Sequence, residues 1–184
     1  MELFATRLPA GSRVLDIGAG GPTELHQLQR AGFEVFVCDY ALDGGRFEYS
    51  DRKPDSYDGI YCAHTLEHTR NPGLFLDKIF YSLRPGGWLA IVVPPLKHEI
   101  VGGHLTLWNA GLLLYHLVRA GFDCSRAAVR TYEYNVAVVV QKVAANLRDL
   151  PLLEDNGDIE LLAPFFPIPV SQGFGGIITE VGWR

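Results

Sequence analysis

Asp16, Gly18, Ala19 and Gly20 stand where an apolar run stops and an amphipathic one begins, in Val14-Leu15-Asp16-Ile17-Gly18-Ala19-Gly20-Gly21-Pro22. A short β-branched run ended by glycines predicts a buried parallel strand. Glycine lets the backbone turn sharply and come against a ligand without a side chain intervening. Asp39 follows at the end of a second run, Glu34 to Asp39. A carboxylate there can accept hydrogen bonds from ribose hydroxyls, the usual spacing in nucleoside-binding sheets being about 20 residues. Pro22 stands just before position 23, where a dinucleotide fingerprint has its third glycine, and it has no N–H to face a pyrophosphate. It suits the first position of a helix instead. A ligand without phosphate tolerates that loss better, which favours S-adenosylmethionine over NAD.

A second group is histidine-rich. His64 follows the strand-like run Tyr57 to Ala63, at the edge of an open α/β sheet where ligands sit. An imidazole there can serve as a general base near neutral pH, or it can line the cofactor pocket. His64, Glu67 and His68 are spaced i, i+3, i+4, so one helical turn would place all three on one face. His104 arrives from the loop carrying Gly102 and Gly103. Two nitrogens, a carboxylate and a further nitrogen are a set that can hold a divalent cation and ionise a hydroxyl. No metal site is assigned, and whether Glu67, His68 and His104 bind one stays open. In the same loop, His98 is expected to be exposed and Trp108 to pack.

These groups need elements to hold them. Met1 to Leu8 reads as a short helix and Pro22 to Arg30 as the first crossover helix, ended at Ala31-Gly32. The stretch from Ala41 to Asp55 is polar and without periodicity, with only a short strand at Arg46 to Tyr49. Asn71-Pro72 opens a helix with Phe75, Leu76, Ile79, Phe80 and Leu83 on its apolar face. Pro85-Gly86-Gly87 turns into a central strand, Trp88 to Val93. Asn109 to Ala120 is the next helix, and Cys124 to Tyr132 with Val136 to Val143 reads as a hairpin around Glu133-Tyr134-Asn135. The fold class is α/β: a doubly wound, mostly parallel, Rossmann-like sheet closing with an antiparallel hairpin, its third-strand edge abbreviated. Residues 1–144 form the ligand-binding domain. Residues 145–184 hold four prolines and five glycines among apolar residues such as Phe165, Phe166 and Trp183. That extension is too apolar for a solvated linker and is expected to pack on the domain or on a second subunit, which would make a homodimer.

At 48% hydrophobic and 20% charged residues the 184-residue chain has the composition of one globular domain, not of a disordered one. A net charge of −5 excludes a broad cationic grip on nucleic acid. Cys38, Cys62 and Cys124 lie far apart in strand-like runs and read as core residues in a reducing compartment. No apolar run is long enough to span a bilayer, and the start of the chain does not read as a signal peptide. The expectation is a cytoplasmic protein with no membrane partner.

Val14 to Gly20, Asp39, Asp58 to His68, Asn71-Pro72, Leu83-Arg84-Pro85-Gly86-Gly87 and the closing hairpin, in that order, resemble a class I S-adenosylmethionine-dependent methyltransferase. The similar family is the broad one that includes ubiquinone-pathway and sugar or polyketide O-methyltransferases, and the likeness spans roughly residues 12–143. The resemblance implies that Asp16, Gly18, Ala19 and Gly20 face the methionine part of the cofactor. It implies that Asp39 takes the ribose and that Tyr40 lies beside the adenine, with Glu48 or Asp51 near its amino group. From their places after the neighbouring Tyr57 to Ala63 and Trp88 to Val93 runs, His64 and His104 are expected to flank the acceptor as candidate bases, which favours O-methylation of a small-molecule or glycan substrate with S-adenosylhomocysteine as the product. Certain RNA 2′-O-methyltransferases of the wider family hold a metal with a Glu-x-x-Glu-His set; here His64 replaces the first Glu, and many relatives with Leu-Glu-His have no metal. Two rival readings are a non-catalytic S-adenosylmethionine-binding protein of the same fold and an NAD-dependent Rossmann oxidoreductase.

Overall fold

The computed structural model describes residues 1–39 and 47–184. Seven strands form one sheet in the order β2-β1-β3-β4-β6-β5-β7. They are β1 (Arg13–Ile17), β2 (Glu34–Cys38), β3 (Tyr57–Ala63), β4 (Leu83–Val93), β5 (Ala128–Tyr132), β6 (Asn135–Gln141) and β7 (Glu180–Val181). The first four run parallel; β6 enters antiparallel beside β4, and β5 and β7 continue the antiparallel pairing. The helices are α1 (Glu2–Ala5), α2 (Pro22–Arg30), α3 (Pro72–Ser82), α4 (Ala110–Arg119) and α5 (Asp158–Leu162).

The period-two alternation of the strands sorts the core onto two faces. Leu15, Ile17, Ile60 and Leu89 face α3 and α4, where Leu76, Ile79, Leu113 and Leu117 cover them. Val14, Tyr61 and Ala90 face the other way, toward Phe4 of α1, Leu28 of α2 and Phe33. Burying one such aliphatic or aromatic side chain contributes about 1.5–3 kcal/mol. Both faces of the parallel strands are therefore apolar, and this leaves the strand ends as the place for polar function.

Several elements differ from the sequence reading. The short strand expected at Arg46 to Tyr49 is a 3₁₀ turn over Phe47–Tyr49, with Arg46 outside the described residues. Phe47 is buried and its ring meets Phe75 of α3 edge-on at 5.2 Å, so packing on the helix replaces pairing with β2. The Pro85-Gly86-Gly87 turn lies inside β4: Leu83 already pairs with Tyr57, and the register shifts before Gly59 pairs with Trp88. Gly86 donates to the Lys142 carbonyl (2.9 Å) and Lys142 to the Gly87 carbonyl (2.7 Å), which holds the irregular stretch in the sheet. A Cβ at Gly87 would lie 2.8 Å from the Asp58 carbonyl oxygen. The N-terminal helix is a single turn, and the hairpin strands start or stop short of the expected ends. Among the described residues no helix is long and apolar enough to cross a membrane. The three cysteines are buried and, among the described residues, form no disulfide.

The C-terminal stretch shares the sheet and the core. Leu162, Phe166 and Ile178 are buried in the larger apolar cluster. Thr131 of β5 donates its N–H to the Thr179 carbonyl (2.8 Å) and its hydroxyl to the Ile178 carbonyl (2.7 Å). The buried Asp158 carboxylate accepts the N–H groups of Leu153 and Glu154, both at 2.9 Å. Truncation after Leu150 should therefore lower the urea midpoint or leave the protein insoluble. An unchanged midpoint in a soluble truncated protein would show that this stretch does not support the fold.

Candidate active site

The C-terminal ends of β1, β2 and β3 open onto a cleft of about 610 Å³. Its first wall is the turn after β1. Gly18 has φ +75° and donates its N–H to the Cys38 carbonyl (2.8 Å), tying that turn to the end of β2. A Cβ at Gly18 would occupy the space of the Thr65 hydroxyl, which itself lies 3.1 Å from the carbonyls of Ile17 and Ala63. Gly20, at φ +51°, donates its N–H to Asp39 Oδ2 (3.0 Å). Gly18, Gly20, Asp39, Glu48 and His64 thus line one cleft, with Ile17, Phe47 and Phe75 as apolar wall. Asp16 and Ala19 are buried beside it and are not part of its wall, Asp51 stands apart from it, and Tyr40 lies outside the described residues.

Asp16 points from β1 toward α2 and is 1% exposed. Burial first, then the charges of Glu24 and Asp39, push its carboxyl up to about 7. Its Oδ2 has no hydrogen-bond partner among the described residues. A cleft bordered by such a group favours a cationic ligand atom nearby, because a positive charge offsets the desolvation of the carboxylate.

The histidines make the opposite wall. His64 follows β3 directly, and its N–H extends the ladder to the Val92 carbonyl (2.9 Å). It adopts φ +51°, a conformation that costs a non-glycine residue about 1–3 kcal/mol and persists only where its surroundings hold it. Three contacts do so. Nε2 hydrogen-bonds Asn135 Oδ1 (2.9 Å), the ring stacks on Tyr134 with centroids 6.3 Å apart, and Nδ1 lies 3.4 Å from Glu67 Oε1. The helical turn expected through 64, 67 and 68 is a 3₁₀ turn over Leu66–His68, and His64 precedes it. Glu67 still comes between the two histidines, with Oε1 3.8 Å from His68 Nε2.

Glu67 is fully buried, and neither of its carboxylate oxygens has a hydrogen-bond donor among the described residues. Its main-chain carbonyl accepts from Leu105 (2.7 Å) and Thr106 (3.2 Å), which docks the loop after β4 and brings in His104. His104 meets His68 edge-on at 5.1 Å but is not in the cleft wall, whereas His68 is. His68 Nδ1 lies 2.7 Å from the Gly103 carbonyl. A carbonyl only accepts, so Nδ1 carries a hydrogen and Nε2 is the ring nitrogen turned toward Glu67. Glu67, His68 and His104 each bring a ligand atom within 4.8 Å of one another. Their donor chemistry fits a divalent cation of the zinc, manganese or iron type.

Tyr134, Asn135 and Thr65 were not singled out from sequence. The turn at 133–135 reads as a hairpin tip, and only the pairing of β6 with β4 carries it to His64. His98 is exposed and Trp108 is buried, its Nε1 donating to Thr106 Oγ1 (2.9 Å).

A family profile described as a methyltransferase domain matches residues 1–130. The chain belongs to that family. Among curated relatives it is 30% identical over 112 residues to a ubiquinone biosynthesis O-methyltransferase of Xylella fastidiosa, covering 50% of this chain and 46% of the relative. A protein of the same description from Aeromonas salmonicida is 32% identical over 97 residues, covering 42% and 41%. The chain thus spans about half the length of the curated relatives it matches. A methyltransferase of Aquifex aeolicus shares the fold at TM-score 0.61 and 19% identity, over 77% of this chain and 88% of that one. So does a Burkholderia thailandensis 1,6-didemethyltoxoflavin-N1-methyltransferase, at TM-score 0.62 and 16% identity, over 77% and 76%. The architecture is the class I, Rossmann-like methyltransferase fold.

The raised carboxyl of Asp16 gives this family member a testable pH dependence. A carboxyl whose folded value lies above its unfolded one binds its proton more tightly when folded. Stability should therefore fall as pH rises from about 4 through about 7. Asp16→Asn should flatten that slope in urea unfolding followed across the window; an identical slope in the variant would show that Asp16 is ionised without cost.

Proposed function

We propose that this chain is an S-adenosylmethionine-dependent methyltransferase acting on a hydroxyl of a small molecule or glycan intermediate. The observation that carries the reading is one cleft with the Gly18–Gly20 turn and Asp39 on one wall and His64 and His68 on the other. The first wall suits a nucleoside and an amino-acid chain without phosphate; Asp39 is the acceptor for ribose hydroxyls, and Asp16 biases the site toward the cation of the methionine part. The second wall suits the acceptor. Methyl transfer from a sulfonium is a direct displacement, so the protein's part is alignment and removal of the acceptor proton. The Asn135 amide oxygen only accepts, so in the unliganded site His64 Nε2 carries the hydrogen. An acceptor hydroxyl that displaces Asn135 meets a base there in the other tautomer, which the Glu67 carboxylate beside Nδ1 supports, with His104 behind His68. The 145–184 stretch supports the domain and is the candidate surface for a homodimer. Three buried thiols outside any disulfide suit a reducing, cytoplasmic setting.

A second way to deprotonate the acceptor is favoured by His68. With its Nδ1 hydrogen committed to Gly103, Nε2 and the buried Glu67 carboxylate form a donor set with His104. A cation held there would supply Lewis acidity to a nearby hydroxyl.

Calorimetry with S-adenosylhomocysteine and NAD tests the cofactor. Binding of the first and not the second is expected, weakened in Asp39→Ala by about 1.5–3 kcal/mol, the range for a charged hydrogen bond. Unchanged affinity in a folded variant would remove Asp39 from the site. Methyl transfer from labelled S-adenosylmethionine to a panel of phenols and sugars tests the chemistry. His64→Ala should cut turnover ~10²–10⁴-fold with cofactor affinity nearly unchanged. Loss of turnover on chelation, restored by zinc or manganese and absent in Glu67→Ala, would assign deprotonation to the cation; full turnover in chelator would assign it to His64.

A further inference from the structure

We infer a second ligand site, for a small amphiphilic anion, on the far edge of the sheet from the catalytic cleft. A cleft of about 550 Å³ lies there, lined by Arg7, Trp88, Ser125, Arg126, Ala128 and Val139 among others. Trp88 pairs with Gln141 at the opposite end of the β4–β6 ladder from Val93, which ends beside the cofactor cleft. Five steps along β4, at about 3.3 Å each, separate the two places by roughly 17 Å.

The cleft exists because small side chains occupy this face. Ala90, Ala128 and Val139 are buried in the second apolar cluster, while α1 is a single turn and α2 lies over the β1–β2 side. The floor is accordingly apolar, and its rim is cationic. The Arg7 guanidinium sits 5.2 Å over the Trp88 ring. Arg126 is exposed on the facing loop. Among the described residues neither arginine makes an ion pair, while Arg13, Arg84, Arg119 and Arg130 do. Asp123 is the one acid in the wall, and its Oδ1 accepts the Ser125 N–H (2.9 Å). In a chain of net charge −5, two unneutralised guanidiniums facing one cavity are a local reversal of sign.

Guanidinium forks match the geometry of carboxylate and phosphate oxygens. An apolar floor with a few convergent polar groups, in a volume of this order, has the make-up of a small-molecule site. The ligand class is therefore an apolar body with one carboxylate or phosphate head, the head at Arg7 and Arg126 and the body on Ala128 and Val139 beside Trp88.

The test reads Trp88 and does not depend on methyl transfer. The protein has three tryptophans, so ¹⁵N-labelled protein shows three indole N–H signals, and Trp88→Phe assigns one. Decanoate and decyl phosphate are titrated below their micellar range, with decanol as the uncharged control. The expected result is a saturable shift of the Trp88 signal with at least one of the two anions. Whichever binds names the head group, and decanol should bind at least tenfold more weakly. Arg7→Ala with Arg126→Ala should weaken the anion at least tenfold while the urea midpoint stays unchanged, since both side chains are exposed. No shift with either anion, equal binding of decanol, or full affinity in a folded double variant would overturn the proposal.

Discussion

The close approach of Gly18 to Thr65 is the constraint on which the site depends. The threonine hydroxyl stands where a side chain at position 18 would project, and it reaches the carbonyls that end β1 and β3. This contact locks the glycine turn against the segment carrying His64 to His68. The cofactor wall and the acceptor wall are then held at a fixed separation by side-chain hydrogen bonds to the ends of two strands instead of by mobile loops. Parallel pairing of β1, β3 and β4 makes the contact possible, because it delivers three strand ends to one edge.

A second organising element is the buried Glu67. Removing a carboxylate from water without hydrogen-bond donors is costly, and such groups persist where a positive partner offsets the cost. Its neighbours are three imidazoles, two within 4 Å and the third touching His68. Its carbonyl simultaneously docks the loop after β4. One residue thereby sets both the electrostatics of the acceptor wall and the placement of His104. The strained backbone of His64 belongs to the same arrangement, since Asn135, Tyr134 and Glu67 together over-determine it.

The sheet is extended at one side by β7. On the other, among the described residues, β2 is the last strand, with the turn at Phe47 packed on α3 in place of a further pairing. The chain therefore concentrates its core around β3, β4 and β6, whose apolar runs are the longest. The smaller second cluster, on the α1 and α2 face, leaves the concavity beside Trp88.

Local pattern alone determined a good deal. Glycine spacing after an apolar run, Pro22 at a helix start, the helix end at Ala31-Gly32 and Asn71-Pro72 are signals carried by a few neighbouring residues, and the elements they mark stand close to where the sequence places them. The identity of Gly18, Gly20, Asp39 and His64 as residues of one cleft was also legible, because in a parallel sheet the ends of β1, β2 and β3 must lie together. Tertiary structure decided the rest. Whether the stretch at Phe47 pairs or packs depended on Phe75, a residue far along the chain. That Asn135 and Tyr134 hold His64 depended on β6 inserting beside β4, which no local spacing encodes. That Glu67 is buried, and His104 set behind His68, depended on a loop docking through main-chain hydrogen bonds, which are open to any sequence able to adopt that path and so leave little trace in residue type.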